Sequence, residues 1–268
     1  MNSMTRVLSM SNVNKKWDRL RAYIFVLFAS SMLFACQSSQ SVAPAFDESI
    51  SLNNKNDVVV LLHGMFRDER AMRPVERYLD ELGYTTVNVS YPSTKFEIET
   101  LAKNYLHPEL QKLKLKQGQK FHFVAHSMGG ILVRYYLKDY SLEQVGRVVM
   151  IAPPNKGTPL ADLLNDVTWV KPDYNPAKMQ ISVQEDSWVN QLGPVNFELG
   201  VIAGNNNKNW VTSLLLPGDD DGVVSVENTK IDNMKDFVTV PDKHYKLRAN
   251  ELVHQQVAHF LKYGQFYK

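Results

Sequence analysis

The chain has a single cysteine, Cys36, among 268 residues, so no disulfide forms within it and its stability must come from packing. It also lacks an apolar run long enough to cross a bilayer as a mature helix. The stretch at 22–35 is 14 residues long, against the roughly 20 that a span requires. No charge of one sign dominates either. The formal net charge of +2 arises because Arg6, Lys15, Lys16, Arg19 and Arg21 face only Asp18 before position 36, and the remainder carries 25 basic and 27 acidic residues, interspersed. Such a balance gives no electrostatic footprint for nucleic acid, so that class of partner is set aside. No repeat period or low-complexity tract stands out, so neither a solenoid nor a wholly disordered chain is indicated. What remains, with 22% charged residues, is the composition of one globular, enzyme-sized domain.

Lys15, Lys16, Arg19 and Arg21 precede the run AYIFVLFASSMLFA at 22–35, giving the charged and apolar regions of an export signal. The run ends in Leu33-Phe34-Ala35-Cys36, which resembles the lipobox of bacterial lipoproteins, whose cysteine is diacylated on sulfur and becomes the new N-terminus. Phe34 departs from that pattern, which usually has a small or hydroxylated side chain there. The alternatives are an ordinary signal peptide or an uncleaved anchor, and all three place the domain outside the cytoplasm. The resemblance implies a lipoprotein-type signal peptide over 1–35, lipidation at Cys36 and a bacterial membrane as partner. Gln37 in place of Asp implies the outer membrane of the cell envelope, facing the periplasm or the exterior. Residues 36–47, rich in Ser, Gln, Ala and Pro, form a flexible tether ahead of a domain over 48–268.

Residues 57–62 (DVVVLL) form a continuous β-branched and aliphatic run, expected of a strand buried on both faces of a parallel sheet. Residues 69–82 space Met72, Val75, Tyr78, Leu79 and Leu82 at helical intervals, and Gly83 follows as a stop. The alternation continues with strands at 85–90, 120–125, 147–151, 199–203 and 237–240. Helices are expected within 97–116, over 128–138 and over 247–263. This order predicts an α/β class: a mostly parallel central sheet with helices on both faces and function at the strands' C-terminal ends.

Ala125-His126-Ser127-Met128-Gly129 leaves one expected strand and enters an expected helix, the context of a G-x-S-x-G nucleophile elbow. A serine on such a turn projects its Oγ above the sheet edge, while small neighbours let helix and strand approach. Gly129 and Gly130 meet that need, and Ala125 adds one methyl group where the pattern has its first glycine. The alternative is a serine that merely caps a helix.

The segments LLHGMF (61–66), AHSMGG (125–130), PNKGTPLAD (154–162) and DGVVSVEN (221–228) together resemble the α/β-hydrolase lipases and esterases. The resemblance runs from residue 57 to the C-terminus and implies the α/β-hydrolase fold with Ser127 as nucleophile. It further implies an acid and then a base in chain order after Ser127. Asp221, which directly precedes Gly222 in DGVV, is the implied acid. Asp219 and Asp220 substitute if the loop register differs, and the three-carboxylate run also reads as a solvated turn or a weak calcium site. His244, just past the last expected strand, is the implied base. His254 and His259 fall inside the closing helix, five residues apart and away from the sheet edge, and are expected to be surface or packing residues. His63, His107, His122 and His126 precede Ser127 and are expected to be structural. Two backbone N–H groups would hold a developing oxyanion: Met128, after the nucleophile, and Met65, in the His-Gly loop after the first strand.

These parts imply a serine hydrolase that cleaves carboxylic esters, lipid or acyl esters foremost, through an acyl-enzyme. A thioesterase or phospholipase with the same triad is the enzymatic alternative, and a non-catalytic membrane-tethered binding lipoprotein is the other. The chemistry needs no cofactor, and no Cys, His or carboxylate clustering calls for a catalytic metal. Residues 160–198, with Trp169, Val170, Met179, Ile181, Trp188, Val189 and Leu192 among polar residues, read equally as a cap over an acyl pocket or as a segment packed onto the domain.

Overall fold

The computed structural model describes residues 57–140, 143–165 and 175–268. The expected signal segment 1–35, Cys36, the tether 36–47 and the part of the candidate cap that holds Trp169 and Val170 lie outside the described residues.

Six strands, β1 (Val58–Leu62), β2 (Thr85–Val89), β3 (Phe121–His126), β4 (Val145–Ile151), β5 (Leu199–Gly204) and β6 (Asp236–Val240), form one sheet in the order β2-β1-β3-β4-β5-β6. Every neighbouring pair is parallel. Each strand return is therefore a crossover, and the crossovers put helices on both faces. The alternation of side chains along β1 shows why its run had to be apolar throughout. Val58, Val60 and Leu62 enter one core with Phe123, Met150 and Val201, while Val59 and Leu61 enter a second core with Val124, Val149 and Ile202. The first core lies against the helix α4 (Met128–Asp139), through Met128, Ile131, Leu132 and Tyr136. The second lies against α1 (Arg73–Glu81) and the closing helix α10 (Glu251–Tyr263), through Val75, Leu79, Val257 and Phe260.

Three expected helices differ in detail, each for a local reason. The segment 69–82 opens with a 3-10 turn, Glu69–Met72, before α1 begins with Pro74 in its first turn, where a missing N–H costs nothing. The helix expected within 97–116 is broken into α2 (Ile98–Leu101), a π-helical turn Ala102–Leu106 and α3 (His107–Gln111). Pro108 has no N–H to return to the carbonyl four residues back, and the His107 N–H instead reaches Ala102 O. The closing helix begins at Glu251 rather than 247. The Asn250 side chain accepts from the Leu252 and Val253 amides as its N-cap, leaving Leu247–Ala249 as a separate 3-10 turn.

Shorter helices occupy the loops: α5 (Pro159–Asn165), α6 (Pro176–Met179), α7 (Trp188–Gln191), α8 (Trp210–Ser213) and α9 (Val226–Thr229). Within 160–198, Ala177, Ile181, Val189, Leu192 and Val195 are buried in the core on the α4 side, whereas Met179 is exposed. Among the described residues no helix is long and apolar enough to cross a membrane.

From β1 the chain moves outward to β2, then returns across β1 to β3. The C-terminal ends of β1 and β3 therefore flank the point where strand order reverses, which is where open α/β sheets place their sites.

Candidate active site

Ser127 follows the last residue of β3 with φ 55° and ψ −129°, a conformation costly for any residue with a Cβ. It is held there by its own N–H, which donates to Ile151 O at 2.8 Å, and by tight packing of α4 beneath the turn. A Cβ on Gly129 would lie 2.6 Å from His63 O and 2.8 Å from Leu62 O, so only glycine lets this helix start against the end of β1. Ser127 stands at the N-cap position of α4 yet makes no side-chain capping bond. Its Oγ lies instead 3.0 Å from His244 Nε2.

His244 and Asp221 reach this point from two other loops. Asp221, 2% exposed, sits in a tight turn whose next residue, Gly222, has φ 95°. Its Oδ1 accepts from the Val223 and Val224 amides at 2.9 and 2.8 Å, and its Oδ2 lies 2.7 Å from His244 Nδ1. A Cβ on Gly204, the last residue of β5, would fall 2.8 Å from Asp221 Cβ, so this strand end is also shaped by a glycine. The His244 N–H donates to Asp221 O at 2.9 Å. A carboxylate only accepts, so Nδ1 carries the hydrogen and the Nε2 lone pair faces the serine hydroxyl. An imidazole so oriented can take the hydroxyl proton and be stabilised as imidazolium by the buried carboxylate.

The structure thus brings together Ser127, Asp221 and His244, and it separates the alternative acids from them. Asp220 is buried with Oδ1 accepting from Asn207 Nδ2 at 2.6 Å and the Gly222 amide at 2.7 Å, and Oδ2 accepting from Ser213 Oγ at 2.9 Å. Asp219 is exposed. Among the described residues no group of three or more His, Cys, Asp or Glu side chains is placed to hold a metal ion. Gly64, between His63 and Met65, lies so close to the serine that a Cβ there would be 3.0 Å from Ser127 Cβ. The loop carrying Met65 therefore runs beside the serine turn, and Met128 is the residue directly after Ser127.

The other histidines divide. His107 pairs with Tyr136 OH at 2.8 Å. His122 accepts the Arg147 amide on Nδ1 and lies 3.3 Å from Asp57 Oδ2 through Nε2, tying the starts of three strands together. His254 bonds to Arg248 O and His259 to Gln265 O, so both act in packing. His63 and His126, by contrast, adjoin the site. Tyr91 OH donates to His63 O, and its ring stacks on the His63 ring with centroids 4.0 Å apart. Burial lowers the pKa of His63 and holds that of His126 well below the ordinary histidine value.

Arg134 escaped the sequence reading. It is 5% exposed on α4 and donates to Asn155 O at 2.8 Å and Gly193 O at 2.7 Å, clamping the loop after β4 to the end of the 160–198 segment. Burial draws its pKa down to about 10. A lone arginine in an apolar helix face was the only signal. A cavity of about 600 Å³, lined by Asp57, His122, Tyr140 and Arg147 among others, lies at the strands' N-terminal ends, across the sheet from Ser127.

A fully parallel sheet between two helical layers, with a strained strand-to-helix serine at its switch point, is the α/β-hydrolase fold. A family model described as the alpha/beta hydrolase fold matches residues 57–178, a stretch that includes Ser127 and ends before Asp221 and His244. Solved structures similar to this chain include three enzymes. The lipase BlEst2 of Bacillus licheniformis in its propeptide form aligns with a TM-score of 0.64 at 17% identity, over 81% of this chain and 52% of that one. Phospholipase PlaB of Legionella pneumophila aligns with a TM-score of 0.57 at 17% identity, over 70% and 53%. The metagenomic carboxyl esterase MGS0156 aligns with a TM-score of 0.57 at 16% identity, over 80% and 71%. The chain spans about half the length of the first two, and at these identities the likeness is one of fold. No curated protein matches the chain by sequence.

Proposed function

We propose that this chain is a serine hydrolase of carboxylic esters that works through an acyl-enzyme. The observation that carries the reading is the relay from Ser127 Oγ to His244 Nε2 at 3.0 Å and from His244 Nδ1 to Asp221 Oδ2 at 2.7 Å, built from three loops at one sheet edge. In this reading His244 takes the Ser127 proton as Oγ attacks the ester carbonyl, and Asp221 stabilises the imidazolium. The Met65 and Met128 amides receive the oxyanion. His244 then gives its proton to the departing alkoxide, and water, activated by the same imidazole, releases the acid.

Lipid or acyl esters are the proposed substrates. Phe66 and Phe96, in the connections just after β1 and β2, are exposed at 64% and 39%, and Met179 at the end of α6 and Leu214 just after α8 at 57% and 75%; all four lie in connections that leave the sheet at the edge carrying Ser127. An apolar acyl chain entering there meets apolar side chains. The proposed location is the cell envelope, with the domain anchored through a lipidated Cys36. This rests on the charged and apolar segments before Cys36, and palmitate labelling of wild type against Cys36→Ala tests it.

The central test is fluorophosphonate labelling and ester turnover by wild type and Ser127→Ala. Labelling at Ser127 and a loss of turnover by several orders of magnitude in the variant are expected. Undiminished turnover by pure Ser127→Ala protein sinks the proposal. Comparing acyl esters of rising chain length, thioesters and phospholipids then fixes the leaving group and acyl preference.

A further inference from the structure

The residue before the serine is buried more deeply than the serine itself and is bonded to the opposite loop. His126 is 3% exposed, and its Nε2 lies 3.0 Å from the backbone oxygen of His244. A carbonyl oxygen only accepts, so Nε2 carries the hydrogen and Nδ1 bears a lone pair. That Nδ1 has no partner among the described residues. Burying an unpaired ring nitrogen is unfavourable, so the ring is held by what its other nitrogen and its faces do. Its centroid is 4.8 Å from that of His244. On the Nδ1 side a Cβ at Gly64 would come within 3.0 Å, so the imidazole is wedged between the loop after β1 and the base loop.

The His244 backbone is consequently held on both sides of its Cα: its N–H donates to Asp221 O, and its C=O accepts from His126. The first bond ties base to acid. The second ties base to nucleophile turn, because His126 and Ser127 are consecutive and share the strained backbone. We propose that His126 is a positioning residue whose Nε2–H holds the His244 loop at the distance from Ser127 Oγ that proton transfer requires. The proposal rests on the Ser127–His244–Asp221 reading above and adds to it a residue outside the triad. Burial, with His244, Arg248 and Arg67 as the charged or titratable neighbours, keeps His126 neutral and therefore in its one-donor form.

Isosteric substitution separates this role from space-filling. The amide nitrogen of Gln reaches the position of His Nε2, that of Asn reaches only that of Nδ1, and Leu fills volume with no donor. His126→Gln is expected to keep kcat on a soluble p-nitrophenyl butyrate within about threefold, whereas His126→Asn and His126→Leu lose roughly 100-fold in kcat with KM little changed, the order expected for a misplacement near 1 Å. The low-field proton resonance of His244 Nδ1–H is expected to persist in the Gln variant and to shift or broaden in the other two. Equal losses in all three variants, or full kcat and an unchanged resonance in His126→Leu, overturn the proposal.

Ring nitrogen shifts of wild-type protein need no variant to fold. They are expected to show His126 as the neutral Nε2–H tautomer, and an Nδ1–H tautomer overturns the proposal. Failure of the parent reading is seen separately, as wild type that neither turns over esters nor labels at Ser127. The tautomer and the His244 resonance still decide the role of His126 in that case.

Discussion

Asp221 and His244 are joined twice, by side chains at 2.7 Å and by the His244 amide to the Asp221 carbonyl at 2.9 Å. The backbone bond fixes where the loops meet, so replacing the carboxylate changes proton chemistry while leaving the loop in place. Asp221→Asn offers an amide that either donates to Nδ1, forcing the wrong tautomer, or loses the ion pair with the imidazolium. A fall in kcat of about 10⁴-fold is expected with thermal stability nearly retained. Asp219→Asn, on an exposed side chain, is expected to stay within about twofold. Steady-state kinetics on both variants checks the assignment, and equal losses would remove Asp221 from its role.

The backbone of Ser127, φ 55° and ψ −129°, stores strain that glycine does not feel. Ser127→Gly is expected to abolish turnover and also to raise stability by about 1 kcal/mol, the relieved strain less the added chain entropy. A urea midpoint above wild type is the measurement. A lower midpoint shows that the turn is not strained.

How far the sequence spoke for the fold and site depended on whether a feature was local. β1 was legible because burial on both faces demands an unbroken apolar run, and Gly129 because a helix that starts against His63 O and Leu62 O tolerates no Cβ. Asp221 was separable from Asp220 only through resemblance, since adjacent carboxylates look alike until Asn207 and Ser213, earlier in the same connection between β5 and β6, are seen to claim one of them. The π turn before Pro108 was missed because helical periodicity survives one extra residue. Arg134 was missed because it bonds to backbone carbonyls, those of Asn155 and Gly193, and His126 was expected only to be structural although its ring reaches the His244 carbonyl. A backbone acceptor leaves no trace in the identity of its residue.

Arg134 is buried with no carboxylate partner and two carbonyls as acceptors. Arg134→Met keeps much of the packed stem but leaves the Asn155 and Gly193 carbonyls without their donor. A loss of about 2–4 kcal/mol in unfolding free energy is expected. The ester kcat of the folded fraction should fall less than in His126→Leu, because Arg134 contacts none of the three triad residues. Chemical denaturation with parallel kinetics separates the two effects.

The pH dependence of stability is set near neutrality by histidines that resist protonation when folded. His63, His122, His126 and His254 all have pKa values lowered from 6.5, in each case chiefly by burial. Below the unfolded value the unfolded chain binds protons that these native rings refuse, so stability falls as pH drops through about 6.5 towards 5. Carboxylates with depressed pKa values, such as Glu198 and Glu227, add a loss of the same sign only nearer their unfolded value of about 4.5. Each fully refusing histidine contributes about 1.4 kcal/mol per pH unit in that window. His126, the most depressed of the four, should account for the steepest share. Urea midpoints at pH 7.5, 6.5 and 5.5 are therefore expected to decline, with a shallower decline in His126→Gln. A flat profile in wild type would show that these rings titrate normally in the fold.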